Sequence, residues 1–178
     1  MAELACTPGQ TVGPFFHCAL PFAGDSTLVG EAQSGAIRLH GTVYDGAGDA
    51  VPDALIEVWQ RGADGRVVRQ EGSLRRDDGV FTGWGRCATD AAGRYSFTTV
   101  TPGGRAAFFA ITVFARGLLN RLFTRAYLPD ADTDGLLSAL DGARRQTLMC
   151  TAEKGGYRFD IHLQGLSETV FLAYSGDS

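Results

Sequence analysis

The feature that most constrains this fold is a series of short segments in which apolar and polar residues alternate. Residues 37–43 and 54–59 both alternate with a period of two, as strands do when one face is buried. The intervening residues 45–52 are dense in Gly, Asp and Pro, which are turn-forming residues. Short strands joined by frequent turns are typical of an antiparallel sandwich or barrel.

Five further segments are predicted to be strands. Residues 80–88, 95–100 and 107–114 lie between turn signals, and residues 157–163 and 169–174 follow near the end of the chain. The segment 107–114 is apolar on both alternating faces and rich in Phe and β-branched residues. That composition favours a strand over a helix and places it at the centre of a sheet.

One helix is predicted, over residues 136–140, directly after the acidic loop 130–134. No repeat, low-complexity tract or linker divides the sequence, and 178 residues suit a single domain. We therefore expect one all-β domain over residues 1–178. It is predicted to be an antiparallel β-sandwich with an extended N-terminal arm, residues 1–34, and one short helix.

Composition excludes several function classes. Sixteen basic and twenty acidic side chains give a net charge of −4, which disfavours nucleic-acid binding. The longest apolar run, residues 106–115, is too short to span a membrane. No secretory signal is visible, and the four Cys have neither a C-x-x-C pair nor zinc-site spacing. These features predict reduced thiols in a cytoplasmic protein.

The residues alone do not reveal a catalytic site. The three His residues, His17, His40 and His162, are far apart and lack metal-site spacing. We interpret His40 and His162 as structural, whereas His17 follows a Gly-Pro-Phe-Phe segment that could lie near a functional surface. Glu57 lies within an apolar strand and could be a catalytic carboxylate. An ion pair with an Arg on a neighbouring strand is the interpretation we favour.

Several short motifs occur in order along most of the chain: TPGQTVGPF (7–15), GTVYDG (41–46), LIEVWQ (55–60), GRCATD (85–90), GRYSF (93–97), VTPG (100–103), VFARG (113–117), LFTRAY (122–127) and YRFDI (157–161). Each motif is only moderately specific, but their order and spacing together form a strong signal. The set resembles the intradiol ring-cleavage dioxygenases.

The resemblance implies that the metal ligands of the family are missing here. Catalytic chains of the family hold a ferric ion with two Tyr and two His. The corresponding positions in this sequence are Val67, Gly104-Arg105, Phe108 and Ala110. Since these residues do not ligate iron, we expect no metal in this chain. We also expect Phe108 and Ala110 to point inward and add apolar area to the core.

The resemblance further implies a partner. In the family, related alpha and beta chains pack together, and Fe(III) is bound by the beta chain at their interface. We therefore expect a homologous iron-binding beta subunit and a larger hetero-oligomer of such pairs, with a catechol acid and O₂ meeting at the interface. The residues that match pocket-lining positions are Thr11, Gly13, Pro14 and Arg116. Gly and Pro allow close, rigid approach to a flat ring, and a guanidinium attracts a carboxylate.

Two alternatives remain open. The chain could be a β-sandwich binding or scaffold module without an enzymatic partner, and co-expression would distinguish this from the subunit hypothesis. It could also be a metal-free enzyme built on Glu57 and a nearby Arg. The absence of paired carboxylates or an activated nucleophile in the sequence argues against that possibility.

Overall fold

The computed structural model of the protein describes residues 11–69, 76 and 80–174. In these ranges the alternating segments form nine strands, arranged as two sheets that pack face to face, and this confirms the predicted β-sandwich class. The strands are β1 (Ala36–Tyr44), β2 (Leu55–Trp59), β3 (Trp84–Ala88), β4 (Arg94–Val100), β5 (Phe108–Phe114), β6 (Leu122–Tyr127), β7 (Thr151–Glu153), β8 (Gly156–Arg158) and β9 (Ile161–His162).

The first sheet has the strand order β4-β1-β8-β7, with β9 also paired to β1. Strand β1 pairs antiparallel with β4, so that Leu39 lies opposite Phe97. Its pairings with β8 and β9 are parallel, which departs from the expected all-antiparallel arrangement. The reason is that the β7–β8 hairpin turns the chain back, so that β8 runs along β1 in the same direction.

The second sheet has the order β3-β2-β5-β6 and is antiparallel throughout. Strand β5 lies between β2 and β6, which confirms its predicted central position. The core fills the space between the two sheets, where alternate residues of each strand are buried. Its members include Leu39, Val43, Phe97, Ile56, Val58, Phe109, Ile111 and Val113.

Three short helices occur in the described residues, where one was predicted. Helix α2 (Gly135–Ala139) is the predicted one, and α3 (Gly142–Gln146) follows it. Helix α1 (Gly13–Ala19) lies within the arm, so the arm is not extended throughout. A seven-residue helix is marginal on its own. Tertiary contact therefore accounts for α1, which packs against β2, β3 and β5.

Two predicted strands also differ. Residues 157–163 form two strands, β8 and β9, because the chain breaks at Asp160, whose carboxylate accepts the Thr42 N–H at 3.0 Å. Residues 169–174 do not form a named strand, and their described β-pairing is a single bridge from Leu172 to Phe123. Residues 1–10 of the predicted arm lie outside the described residues, as does Asp78-Gly79, the turn signal before the predicted strand 80–88. Among the helices that are described, none has the length and apolar character to cross a membrane.

Candidate functional site

The side of the second sheet that faces away from the core carries Phe108 and Ala110, two of the positions that the resemblance matches to metal ligands. Along β5, Phe109, Ile111 and Val113 are buried, whereas the alternating Phe108, Ala110, Thr112 and Phe114 are only half-buried. Successive side chains of a strand point to opposite faces. The expectation that Phe108 and Ala110 point into the space between the sheets is therefore wrong, and Phe108 packs instead against a second buried cluster that includes Tyr127 and Leu137. Phe108 and Ala110 lie on the outer face, and their neighbours in sequence fill the core.

A cavity of about 430 Å³, which we call the outer-face cavity, opens at one end of this face. It brings together three of the four family positions, namely Val67, the pair Gly104 and Arg105, and Phe108. The fourth, Ala110, is the cross-strand partner of Trp59, which also lines the cavity. The complete lining is Trp59, Gln60, Arg61, Val67, Gly103, Gly104, Arg105, Ala106, Ala107 and Phe108.

The residues at these positions do not suit a ferric ion. Val67, Gly104, Phe108 and Ala110 have no side-chain donor atom, and an Arg guanidinium donates hydrogen bonds but has no lone pair to offer a metal. Across the described residues, no group of three or more His, Cys, Asp or Glu side chains could hold a metal ion. Iron needs phenolate, imidazole or carboxylate ligands, and the cavity lining supplies none of them.

A phenol does lie beside Phe108, but it is already engaged. The Tyr127 hydroxyl donates to Asp134 Oδ2 at 2.7 Å, and its ring packs at 5.3 Å from the Phe108 ring. Burial raises the pKa of Tyr127 to about 12, so the hydroxyl stays protonated at neutral pH. The Arg125 guanidinium lies 4.4 Å from the centre of the Phe108 ring. Tyr127 therefore supports the wall of the cavity as a neutral hydrogen-bond donor.

Glu57 forms the cross-strand ion pair that we favoured from the sequence. Its Oε1 accepts from Arg86 Nη2 at 2.7 Å, between β2 and β3, and both side chains are largely buried. Arg86 also donates to the Leu20 carbonyl at 2.9 Å, at the end of α1. This bonding gives Glu57 a structural role, which weakens the alternative of a metal-free enzyme built on it.

The arm is held against the turn that follows β5. Thr11 Oγ1 donates to the Leu118 carbonyl at 2.6 Å and accepts the Gly13 N–H at 3.2 Å. A Cβ added to Gly13 would lie 2.0 Å from the Ala115 carbonyl oxygen, so only glycine fits there. The close approach that Gly13 allows is therefore between two backbone segments of this chain, at Gly13 and Ala115.

Arg116 lies next to that contact, and the sequence-predicted pocket residues therefore share one end of the molecule. Its guanidinium Nε donates to Asp53 Oδ1 at 2.8 Å, while the side chain stays 55% exposed. Pro14 lies in the first turn of α1, where a missing N–H costs nothing. The structure thus groups Thr11, Gly13, Pro14 and Arg116, and their contact with a substrate stays a prediction.

The three His residues are separate, as the sequence indicated. His40 pairs with Glu153 at 2.9 Å, and His162 stacks on Tyr44 with ring centres 4.9 Å apart. These contacts are consistent with the structural interpretation of both residues. His17 lies in α1, where its ring contacts the Pro14 carbonyl and Cys18 Sγ.

Sequence reasoning missed the parts of the cavity that come from outside the ligand positions. Trp59 and Arg61 flank Gln60 at the end of the LIEVWQ motif, and both line the cavity. The LIEVWQ motif could have indicated Trp59, because strand alternation puts Trp59 and Glu57 on the same face of β2.

Comparison with known proteins identifies relatives over nearly the whole chain. A family model described as "Dioxygenase" matches residues 12–110. The protocatechuate 3,4-dioxygenase alpha chain of Burkholderia cepacia is 35% identical over 197 aligned residues, which cover 97% of this chain and 99% of that one. The beta chain of the same enzyme and organism is 34% identical, over 90% of this chain and 76% of its own length.

A solved structure shares the fold. The dioxygenase domain of a dioxygenase–carbohydrate-binding fusion protein from Streptomyces sp. SirexAA-E superposes with a TM-score of 0.55 at 23% identity. The match covers 89% of this chain and 98% of that domain. At this level of identity the likeness supports the β-sandwich architecture alone.

Proposed function

This chain belongs to the intradiol dioxygenase family, as its motifs predicted, and we propose that it is the non-catalytic alpha subunit of a protocatechuate 3,4-dioxygenase. Its partner would be a homologous beta subunit that binds Fe(III). The assembled enzyme would cleave protocatechuate with O₂ between the two ring hydroxyls and release 3-carboxy-cis,cis-muconate. We also propose that the complex is a cytoplasmic hetero-oligomer built from several such pairs.

One observation carries the proposal. Three of the four positions matched to family ligands, at Val67, Gly104-Arg105 and Phe108, line one cavity. The fourth, Ala110, lies opposite Trp59 of its wall. None of these side chains can ligate iron. A chain that keeps the fold and the motifs of a dioxygenase without its ligands is suited to act beside a chain that retains them.

We propose that this chain contributes a wall of the partner's substrate pocket. Thr11 and Pro14 would present a rigid backbone edge to the substrate ring, and Gly13, which is buried against Ala115, would hold that edge in place on the turn after β5. Arg116 would attract the carboxylate of protocatechuate. Its exposed guanidinium uses Nε for Asp53, and neither terminal nitrogen has a hydrogen-bond partner among the described residues, so both are suited to bind a carboxylate.

The experiment that tests the proposal is purification of the native complex with iron quantified for each chain. We expect a homologous chain with Tyr and His ligands to co-purify and to carry the iron. The chain expressed alone should be colourless and inactive. About one ferric ion in each isolated chain would overturn the proposal. Failure of any ligand-bearing homologue to co-purify would favour a binding or scaffold module.

The substrate role of Arg116 has its own test in the reconstituted complex. Arg116→Glu is expected to raise KM about tenfold or more, because a charge-assisted hydrogen bond contributes about 1.5–3 kcal/mol. It should change kcat much less, because the guanidinium contacts the carboxylate and not the reacting carbons.

Arg158→Glu is the matched control. Arg158 is also half-exposed and forms a surface ion pair, with Asp160 at 2.7 Å, but it belongs to β8 in the other sheet. It should leave KM unchanged. An unchanged KM in the Arg116→Glu complex would remove Arg116 from the substrate pocket.

A further inference from the structure

We propose that the outer-face cavity binds a small aromatic monocarboxylate of benzoate size. Its volume of about 430 Å³ falls within the ~300–1,000 Å³ typical of ligand sites. Binding would use residues of this chain alone, so its test does not depend on the identity of any partner.

The walls of the cavity suit a flat apolar ring. Trp59 and Phe108 contribute aromatic side chains, and Val67 contributes a branched aliphatic one. Trp59 is 42% exposed and Val67 is 45% exposed, so apolar surface at the mouth is left in contact with water. A ring that covered this surface would gain stabilisation from burial and from aromatic packing.

The floor is rigid, and its polar groups are already satisfied. The buried Gln60 donates from Nε2 to the Val100 carbonyl at 2.8 Å and accepts from Thr99 at 2.6 Å. The Gly103 N–H bonds to the Gly62 carbonyl at 2.9 Å. A Cβ on Gly103 would lie 2.2 Å from the Ala63 carbonyl oxygen, so the loop can pack there only as glycine. A ligand therefore meets a fixed floor that does not require a polar group from it.

The rim supplies positive charge. Arg61 donates one hydrogen bond to the Gly65 carbonyl at 3.2 Å and has no carboxylate partner among the described residues. Arg105, in contrast, is paired with Asp132 at 2.7 Å. The rim thus offers one guanidinium with uncommitted donors, which matches a single carboxylate better than a multiply charged phosphate.

These features together define the ligand class. An apolar ring between Trp59, Val67 and Phe108 would place its carboxylate toward Arg61. Adjacent ring hydroxyls are not needed, since the cavity lining holds no metal ligands for them to complement. An aromatic acid without such hydroxyls is therefore a sufficient ligand.

Equilibrium dialysis of radiolabelled benzoate against the full chain, in the form in which it purifies, tests this assignment. Benzoate lacks the adjacent hydroxyls that chelate iron, so it reports on carboxylate and ring contacts. We expect saturable binding of one equivalent per chain. Arg61→Gln should weaken binding about tenfold or more through loss of the charge-assisted hydrogen bond. The neutral isostere benzamide should bind the unaltered chain more weakly by a similar factor.

Val67→Glu provides a second variant, because it places a negative charge at the mouth of the cavity and should abolish benzoate binding. Both substituted residues are exposed, so thermal unfolding should match that of the unaltered chain. The controls are Arg66→Gln and Val80→Glu, at exposed residues that do not line the cavity, and both should bind normally. Absence of saturable binding, or binding that survives both Arg61→Gln and Val67→Glu, would overturn the proposal.

Discussion

Arg86 links the outer face of the second sheet to the end of α1. Its side chain is only 14% exposed, and its guanidinium lies 4.9 Å from the centre of the Trp84 ring. It bonds to Glu57 and to the end of α1, while its Nε has no hydrogen-bond partner among the described residues. The carboxylate of Glu57 is therefore the main compensation for a nearly buried positive charge.

Glu57→Gln is expected to destabilise the protein by about 1–3 kcal/mol, because it leaves that charge without its anion. Urea unfolding monitored by circular dichroism measures the change as a lower midpoint with an unchanged slope. The exposed pair between Arg66 and Asp64, 3.8 Å apart, gives the control. Asp64→Asn there should change stability by less than about 1 kcal/mol. Equal midpoints for Glu57→Gln and the unaltered chain would mean that the ion pair does not stabilise the sheet.

At the scale of the element, strands were predictable where one face alone is buried. Residues 37–43 and 54–59 became β1 and β2 with nearly the predicted bounds. Helices α1 and α3 were not predicted, since each is too short to show a helical period and depends on tertiary contacts or an Asp cap. The short strands β7, β8 and β9 likewise depend on pairing with distant segments, which alternation does not reveal.

The side of β5 that faces the core could not be predicted from the sequence. Because the strand is apolar on both faces, alternation could place it at the centre of the sheet but could not distinguish its inner side from its outer side. The half-burial of Phe108 and Ala110 comes from the register with β2 and β6. The motifs gave the matched ligand positions along the chain, and only the structure could show that three of the four line one cavity.

Helix α2 is coupled to the second sheet through its cap. Asp134 Oδ1 accepts the Leu137 N–H at 3.0 Å, and Oδ2 accepts from Tyr127 and Arg125. Partial burial raises the pKa of Asp134, but these hydrogen bonds and the Arg125 charge outweigh it and hold the pKa below its ordinary value. A carboxyl with a lowered folded-state pKa contributes stability above its unfolded pKa, about 4, and loses it as the pH falls through the folded value.

Asp134→Asn should therefore cost about 1 kcal/mol at pH 7, because Asn can still cap the helix but lacks the charge that strengthens the hydrogen bonds to Arg125 and Tyr127. The difference from the unaltered chain should shrink as the pH falls below about 4, because the unaltered carboxyl is then protonated in both states. Urea unfolding at a series of pH values measures this difference in the free energy of unfolding. Asp141→Asn, at the exposed cap of α3, is the control and should cost less at pH 7. A difference that stays constant down to pH 2 would contradict the role given to the Asp134 charge.

At the scale of the whole molecule, exposed apolar side chains cluster where the arm meets the turn after β5. Val12, Phe15 and Leu119 are each more than half exposed, and Val12 and Leu119 line the same small surface cleft. Exposed apolar clusters of this kind mark interaction surfaces. They adjoin the residues proposed to line the partner's substrate pocket, so assembly should bury them.

Phe15→Glu is accordingly expected to weaken the affinity for the partner chain at least about tenfold, because a charge would be buried in the interface. It should leave the thermal unfolding of this chain unchanged. Size-exclusion chromatography of the co-expressed chains measures the assembled fraction. Leu166→Glu is the matched control, since Leu166 is a fully exposed apolar residue elsewhere on the surface. If Leu166→Glu disrupted assembly and Phe15→Glu did not, the interface would lie on another face.

The anchoring of the arm has a consequence for how quickly and how tightly such an assembly can form. Thr11 is bonded to Leu118, Gly13 lies against Ala115, and the last turn of α1 is held by Arg86. Residues 11–20 of the arm are thus positioned before association, and this segment has little conformational entropy left to lose when a second chain packs against it. A partner would thus bind a surface that is already formed. Less of the free energy of its contacts would be offset by the cost of ordering this segment, so binding would be tighter.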